Sequence, residues 1–178
     1  PYIVGYIATV KTLFYFFPIR FFTKLNHILY YEIARLYAMK KYKLLKNNFL
    51  NYIKFIFLLV ICFIIMSLTM GPYVYDLWLN SKYQLSFLLL LIIVLEASFF
   101  TIKHSISSLL DSINKNILLG VSELIIFSLS IILFYLNSYF SNSYLIGFGI
   151  IMIGSLLHLF FASTLLYLFF KNKKKKNL

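Results

Sequence analysis

Lys11, Glu96, Glu123 and His158 each stand inside a long apolar stretch, and they are the residues best placed to do chemistry. A charge in bilayer hydrocarbon costs about 2.5–3.5 kcal/mol on insertion scales, so such groups face a bundle interior or a wet cavity. Lys11, flanked by Thr9 and Thr12, suits an aqueous cavity that receives an anionic group. If its span starts nearer Thr12, Lys11 becomes a border residue, and Pro18 and Arg20 leave the other limit open. Glu96 lies about seven residues before the end of one stretch and Glu123 about seven after the start of the next, each roughly 10 Å deep. Antiparallel neighbours would therefore hold both carboxylates at one level. There they could share a proton or a cation, or each be neutralised separately, Glu96 by Lys103 further along its own helix. His158 shares a helical face with Gly147, Ile151, Gly154 and Ala162, a spacing of small residues that admits a close neighbour. That makes it a hydrogen-bonded packing residue, with proton relay as the alternative.

Other chemistry is poorly provided for. Three scattered histidines and the single Cys62 offer no metal-ligand spacing, and Cys62, inside an apolar span, reads as a packing residue. Ser105, Ser107 and Ser108 near His104 and Asp111 hold the letters of a nucleophilic triad, but at a helix end with no oxyanion site. No Gly-rich phosphate loop or aqueous carboxylate pair occurs. The expectation is a protein without catalytic residue, metal or cofactor.

The elements that must position these residues follow from composition. The chain has 178 residues, 62% of them hydrophobic, with seventeen basic side chains against five acidic ones. No soluble domain of this size hides so much apolar surface. Crossing the hydrocarbon takes about 20 apolar residues in a helix, and five stretches qualify: 2–22, 52–70, 84–102, 117–136 and 144–170. They are too long for barrel strands and lack alternation, so the fold class is all-α, a polytopic membrane helix bundle of about five spans. Residues 1–170 form the bundle and 171–178 a basic tail.

Charge then orients the chain. Lys24, Arg35, Lys40, Lys41, Lys43 and Lys46 fill the first gap, Lys82 is offset by Asp76 in the second, and Lys103 and Lys115 accompany Asp111 in the third. The fourth gap carries no charge, and Lys171 with Lys173 to Lys176 follows the last span. Basic segments stay cytoplasmic, so the C-terminus is expected inside. Within residues 24–50, Tyr30, Ile33, Tyr37 and Leu44 oppose Glu32, Arg35, Lys43 and Lys46, which predicts an amphipathic helix on the anionic membrane surface, a solvated linker being the alternative. The net charge of +12 sits at membrane borders, so membrane lipids rather than nucleic acid are the expected partners. Pro1 in place of an initiator Met, together with the odd span count, points to a piece of a longer protein.

The segment Gly71-Pro72-Tyr73-Val74-Tyr75-Asp76-Leu77-Trp78-Leu79 resembles a motif of the Wzx-type polysaccharide flippases, members of the multidrug/oligosaccharidyl-lipid/polysaccharide exporter superfamily. Physically, Gly-Pro ends a helix, and Tyr73, Tyr75 and Trp78 suit the headgroup level. Val4-Gly5-Tyr6 with residues 9–13, the run from Glu32 to Lys46, Leu109-Leu110-Asp111-Ser112-Ile113-Asn114-Lys115 and the Gly-rich 147–154 are similar to further family segments in the same order. The resemblance implies the C-terminal five spans of a twelve-span carrier in the bacterial cytoplasmic membrane. It would move a lipid-linked oligosaccharide for polysaccharide or O-antigen biosynthesis and cooperate with the assembly machinery. On that reading Lys11 and then Arg20 meet the substrate diphosphate, while Glu96, Glu123 and His158 serve ion or proton coupling. A non-catalytic membrane subunit and an intramembrane lipid-modifying enzyme remain the alternatives from other classes.

Overall fold

The computed structural model describes residues 2–79, 85–114, 117–140 and 144–176; Lys82, Gln84, Lys115 and the side chains of Lys173 to Lys176 lie outside the described residues. The chain is an all-α bundle: α1 (Tyr2–Lys11), a π-helical turn (Thr12–Phe16), α2 (Phe17–Ala38), α3 (Tyr42–Thr69), α4 (Gly71–Leu79), α5 (Phe87–Ser112), α6 (Ile117–Phe140) and α7 (Tyr144–Lys176). Four helical segments are long and apolar enough to cross a membrane: Tyr42–Thr69, Phe87–Ser112, Ile117–Asn137 and Ile146–Lys171. The protein is thus membrane-embedded by the length and composition of its helices.

The expected first span takes a different form. Residues 2–22 do not end before a separate surface helix but run through the π turn into α2 as one rod of about 55 Å at about 1.5 Å per residue. Pro18 accounts for the turn. Its nitrogen has no hydrogen to donate one turn back and its ring crowds the Phe14 carbonyl, so the ladder widens just ahead of it and the Phe17 N–H reaches Thr12 O, five residues back. The helix widens without breaking.

The amphipathic stripe of α2 is also displaced from the one read in sequence. Pro18, Phe22, Asn26, Leu29, Ile33 and Leu36 are the buried positions, so Ile33 is buried as read, while Tyr30 and Tyr37 are only half-buried. Leu44 belongs to α3 and is exposed. This face packs against protein, not against headgroups: Leu29, Ile33 and Leu36 join Leu45 and Phe49 of α3, Ile106, Leu109 and Leu110 of α5, and Ala162 and Phe169 of α7 in one core cluster. A helix stripe that finds a partner helix buries its apolar area more completely than a lipid surface could cover it. Between α2 and α3 the chain turns at Lys40 in the left-handed region (φ 57°), with the Lys41 N–H closing on Leu36 O.

The helix α5 is the axis of the bundle. Half of its apolar window is buried, against 11% for α6, because α2, α3 and α7 all pack on it. At the other end of the molecule Val10, Phe14, Tyr75, Leu89, Leu90, Ile93, Val94 and Phe148 form a second core. Tyr75 is therefore no headgroup anchor. It is fully buried, edge-on to Tyr6, whereas Tyr73 and Trp78 on the same short helix are exposed. Cys62, read as a packing residue, lies on the outer face of α3.

Two further devices hold the helices in register. Asn26 Oδ1 accepts from Tyr52 (2.8 Å) and Ser105 (2.9 Å), which ties α2, α3 and α5 through one amide. Gly147 and Gly154 let α7 approach α6 so closely that a Cβ would come within 2.5 Å of Phe134 or of Ser130 Oγ. The small-residue face read in sequence is thus the seam of the α6–α7 pair.

Candidate functional site

A cleft of about 700 Å³ runs between the π turn and α6, with α5 and α7 as its floor. Lys11, Glu96, Glu123 and His158 all line it, joined by Lys103. The spacing on α5 explains part of this convergence. Glu96, Phe100 and Lys103 are four and three residues apart, so they share one face, with the carboxylate and the ammonium two turns, or about 10 Å, apart. The rest follows from the π turn, whose extra residue sets the rotation of the helix ahead of it, and Lys11 and Tyr15 line the cleft beside that face of α5.

Two ion pairs result, and they cross between helices. Lys11 Nζ stands 3.9 Å from Glu96 Oε2, and Lys103 Nζ donates to Glu123 Oε1 at 2.6 Å. The two carboxylates therefore do not share a site. Nor does Lys103 neutralise Glu96 on its own helix, because its side chain extends toward α6 instead. Glu96 is 2% exposed, and the Tyr15 hydroxyl is directed to it as a donor. Phe100 lies between the pairs. Lys103 sits over its ring at 4.5 Å, and Tyr15 packs on it at 6.1 Å, while Lys11 lies over Tyr15 and Phe148. Such cation–π contacts replace part of the lost hydration of each ammonium.

His158 is buried beside the second pair, with Nε2 3.4 Å from the Leu119 carbonyl oxygen. Gly154, one turn before it, sets this part of α7 against α6, and His158 also lines the cleft. Arg20 is exposed and does not line the cleft. Thr9 and Thr12 bond back to Gly5 O and Ala8 O of their own helix and add nothing to the floor. Of the residues with triad letters, Ser105 is committed to Asn26 and Thr101 O, and His104 stacks on Phe100. Among the described residues no cluster of metal-ligating side chains occurs.

The rim is apolar. Phe16, Phe127, Ile131 and Phe134 are 49%, 63%, 53% and 41% exposed, so apolar side chains on the outer surface of the π turn and α6 border the cleft. Tyr15 and Phe100 are the site residues that sequence reading left without a role, while Lys103, read as a partner for Glu96, pairs with Glu123; the signal for the first two was their four-residue spacing from Lys11 and Glu96. The arrangement can hold an amphiphile, with its polar group on a charged floor and its apolar part at an aromatic rim. Compared with family models, curated proteins and solved structures, the chain matches none.

Proposed function

We propose that the chain belongs to a membrane transporter, a flippase that moves a lipid-linked oligosaccharide across the bacterial cytoplasmic membrane for polysaccharide or O-antigen biosynthesis. The single observation that carries this reading is the cleft that gathers Lys11, Glu96, Lys103, Glu123 and His158 beside an exposed apolar rim. A lipid-linked substrate needs both parts. Its acyl chain stays in hydrocarbon while its charged head enters a polar recess, and alternate exposure of that recess to the two sides would move the head across. The basic gaps favour a cytoplasmic C-terminus.

Charge pairing suggests how an ion could drive the cycle. With Glu96 ionised, Lys11 is held beside it; with Glu96 protonated, Lys11 is free to meet a diphosphate. Protonation would thus bias the cleft between an empty and a loaded state. Lys103 and Glu123 can act alike one level away, with His158 beside them as a relay.

Complementation of a flippase-deficient strain by the full-length gene tests the reading. Lys11→Ala and Glu96→Gln are expected to abolish rescue at normal expression, and Arg20→Ala, outside the cleft, to retain it. Failure of the unmodified gene, or full rescue by both cleft variants, would overturn it. One observation favours a second reading, a non-catalytic membrane subunit: both carboxylates stand beside lysines, as a purely packed bundle requires. That reading expects the same variants to alter stability alone.

A further inference from the structure

With its inner face packed against α3, α5 and α7, α2 still carries a second amphipathic stripe on the outside of the bundle. Phe17, Phe21, Ile28 and Tyr31 are 75%, 55%, 72% and 72% exposed, and Arg20, Lys24 and Arg35 stand exposed among them on the same face, three and four residues apart. Large apolar groups interleaved with cations suit neither hydrocarbon nor water alone. The only acidic side chain of α2, Glu32, lies about two turns beyond Lys24 and is paired with Arg35 at 3.9 Å. Arg20 and Lys24, one turn apart, have no acidic partner among the described residues, so their charge faces outward uncompensated. The depth of the stripe follows from the opposite end of the rod. Tyr6 Oη accepts from the Ser86 N–H at 2.8 Å, just before α5 begins, so Tyr6 marks one boundary of the apolar zone. Along the helix Lys24 lies about 27 Å and Ile28 about 33 Å from that level, and the hydrocarbon is about 30 Å thick. Phe17 and Phe21 therefore stay at acyl-chain depth, and Lys24, Ile28 and Tyr31 straddle the headgroup boundary. Arg20 starts one turn deeper, and its long stem lets the guanidinium rise toward the same level.

We infer that the outer face of α2 binds an anionic phospholipid of the phosphatidylglycerol class. The phosphate accepts from Arg20 and Lys24, the acyl chains lie along Phe17 and Phe21, and the uncharged headgroup rests against Ile28 and Tyr31. Neighbours four residues apart on a helix stand about 5–6 Å from each other at Cβ, so two such cations can meet one phosphate group. Charge decides the class of lipid. A zwitterionic headgroup brings its own cation to a stripe whose nearest carboxylate is already paired, whereas an anionic one leaves the two basic groups neutralised. The sequence led to an anionic membrane surface for this helix through Tyr30, Ile33 and Tyr37, on the side that packs against protein; the opposite side has the exposure and the charge to meet it. The site is separate from the cleft, which Arg20 and Lys24 do not line, and it does not depend on transport.

The purified protein, placed in nanodiscs of equimolar phosphatidylglycerol and phosphatidylcholine, is released into mild detergent, and the lipid it retains is weighed by native mass spectrometry. Phosphatidylglycerol is expected to exceed phosphatidylcholine by about tenfold, the order expected of two cations acting on one anionic lipid at a membrane surface. Arg20→Gln combined with Lys24→Gln should bring the two lipids toward equal retention with little change in melting temperature, since both side chains are exposed. Lys41→Gln combined with Lys43→Gln removes the same charge beyond the end of α2 and should leave the preference intact. Arg20→Lys, which keeps the charge, should retain most of it. Equal retention of the two lipids by the unmodified protein, or no retained lipid, would overturn the proposal. So would a preference that survives the Arg20 and Lys24 changes, or one that falls equally in the two double variants, which would make it a property of overall charge and not of this face.

Discussion

Lys103 and Glu96 share one face of α5, yet Lys103 reaches across to Glu123 at 2.6 Å and leaves Glu96 to Lys11. Pairing along one helix would have stabilised α5 alone; pairing across helices fastens α6, the least buried span, to the axis of the bundle. The Lys103 side chain is 9% exposed and that of Glu123 55%, so removing the carboxylate strands a nearly buried ammonium, whereas removing the ammonium leaves a carboxylate that reaches solvent or headgroups. Glu123→Gln is therefore expected to destabilise the protein by about 1–3 kcal/mol, at the low end of buried pairs because one partner is exposed. Thermal unfolding in detergent should show a larger loss for Glu123→Gln than for Lys103→Met, with the double variant recovering part of it. Additive losses would show that the pair is not coupled.

The Asn26 amide offers a second test of polar fastening. Tyr52→Phe and Ser105→Ala each remove one donor to a buried oxygen and should cost about 1 kcal/mol apiece. Asn26→Ala removes the acceptor that both hydroxyls share, of which Ser105 keeps Thr101 O, and should cost more than either. A triple replacement by Leu, Phe and Ala at 26, 52 and 105 should recover most of the stability, because it leaves no stranded polar group. Proteolysis at rising temperature would rank the four proteins.

The α6–α7 seam depends on absent side chains. A Cβ on residue 154 would stand 2.5 Å from Ser130 Oγ, and one on residue 147 would stand 2.5 Å from the Phe134 ring. Gly154→Ala should destabilise by about 1–3 kcal/mol through overpacking. Ser130→Ala in the same chain should rescue it, since the Ser130 Cβ is 3.7 Å away, an ordinary contact. Rescue by Ser130→Ala, and none of Gly147→Ala by the same change, would be read from melting curves.

The fold was legible in sequence wherever composition decides it, and less so wherever a neighbour does. Apolar length gave the long helices, and Gly-Pro the break after α3, because both follow from backbone chemistry alone. The stripe of α2 was right at Ile33 but one residue off on either side of it, since Leu29 and Tyr30, like Leu36 and Tyr37, are both apolar and only the neighbouring helices select between them. Tyr75 looked like Tyr73 for the same reason. At the site, intramembrane charge singled out Lys11, Glu96, Glu123 and His158, which share one cleft. Their partners were not legible, because pairing depends on how α6 and the π turn are rotated, and neither rotation is written in the spacing.

Lys40 holds a left-handed backbone (φ 57°) at the corner between α2 and α3, a conformation that costs an L-residue about 1–2 kcal/mol. Lys40 is exposed and its N–H bonds to Tyr37 O, so the backbone alone sets the preference there. Lys40→Gly is expected to stabilise the folded protein by about 1 kcal/mol, less the greater freedom of glycine in the unfolded chain. Lys40→Val should destabilise it. The comparison of melting temperatures separates this corner from any contribution of the lysine charge, which both variants remove.

Pro18 links helix strain to the cleft. Its missing N–H and bulky ring impose the π turn, and the π turn aims Lys11 and Tyr15 at Glu96. An alanine at this position restores the donor and relieves the clash, so Pro18→Ala should let the ladder close with ordinary α spacing. The helix becomes more stable, and melting temperature should rise. Closing the turn also rotates Lys11 away from Glu96, which leaves the cleft without its first pair. Rescue of a flippase-deficient strain should therefore fall to the level of Lys11→Ala while the protein itself is more robust, the trade expected where local strain serves function. A Pro18→Ala protein that rescues fully would detach the π turn from the function of the cleft.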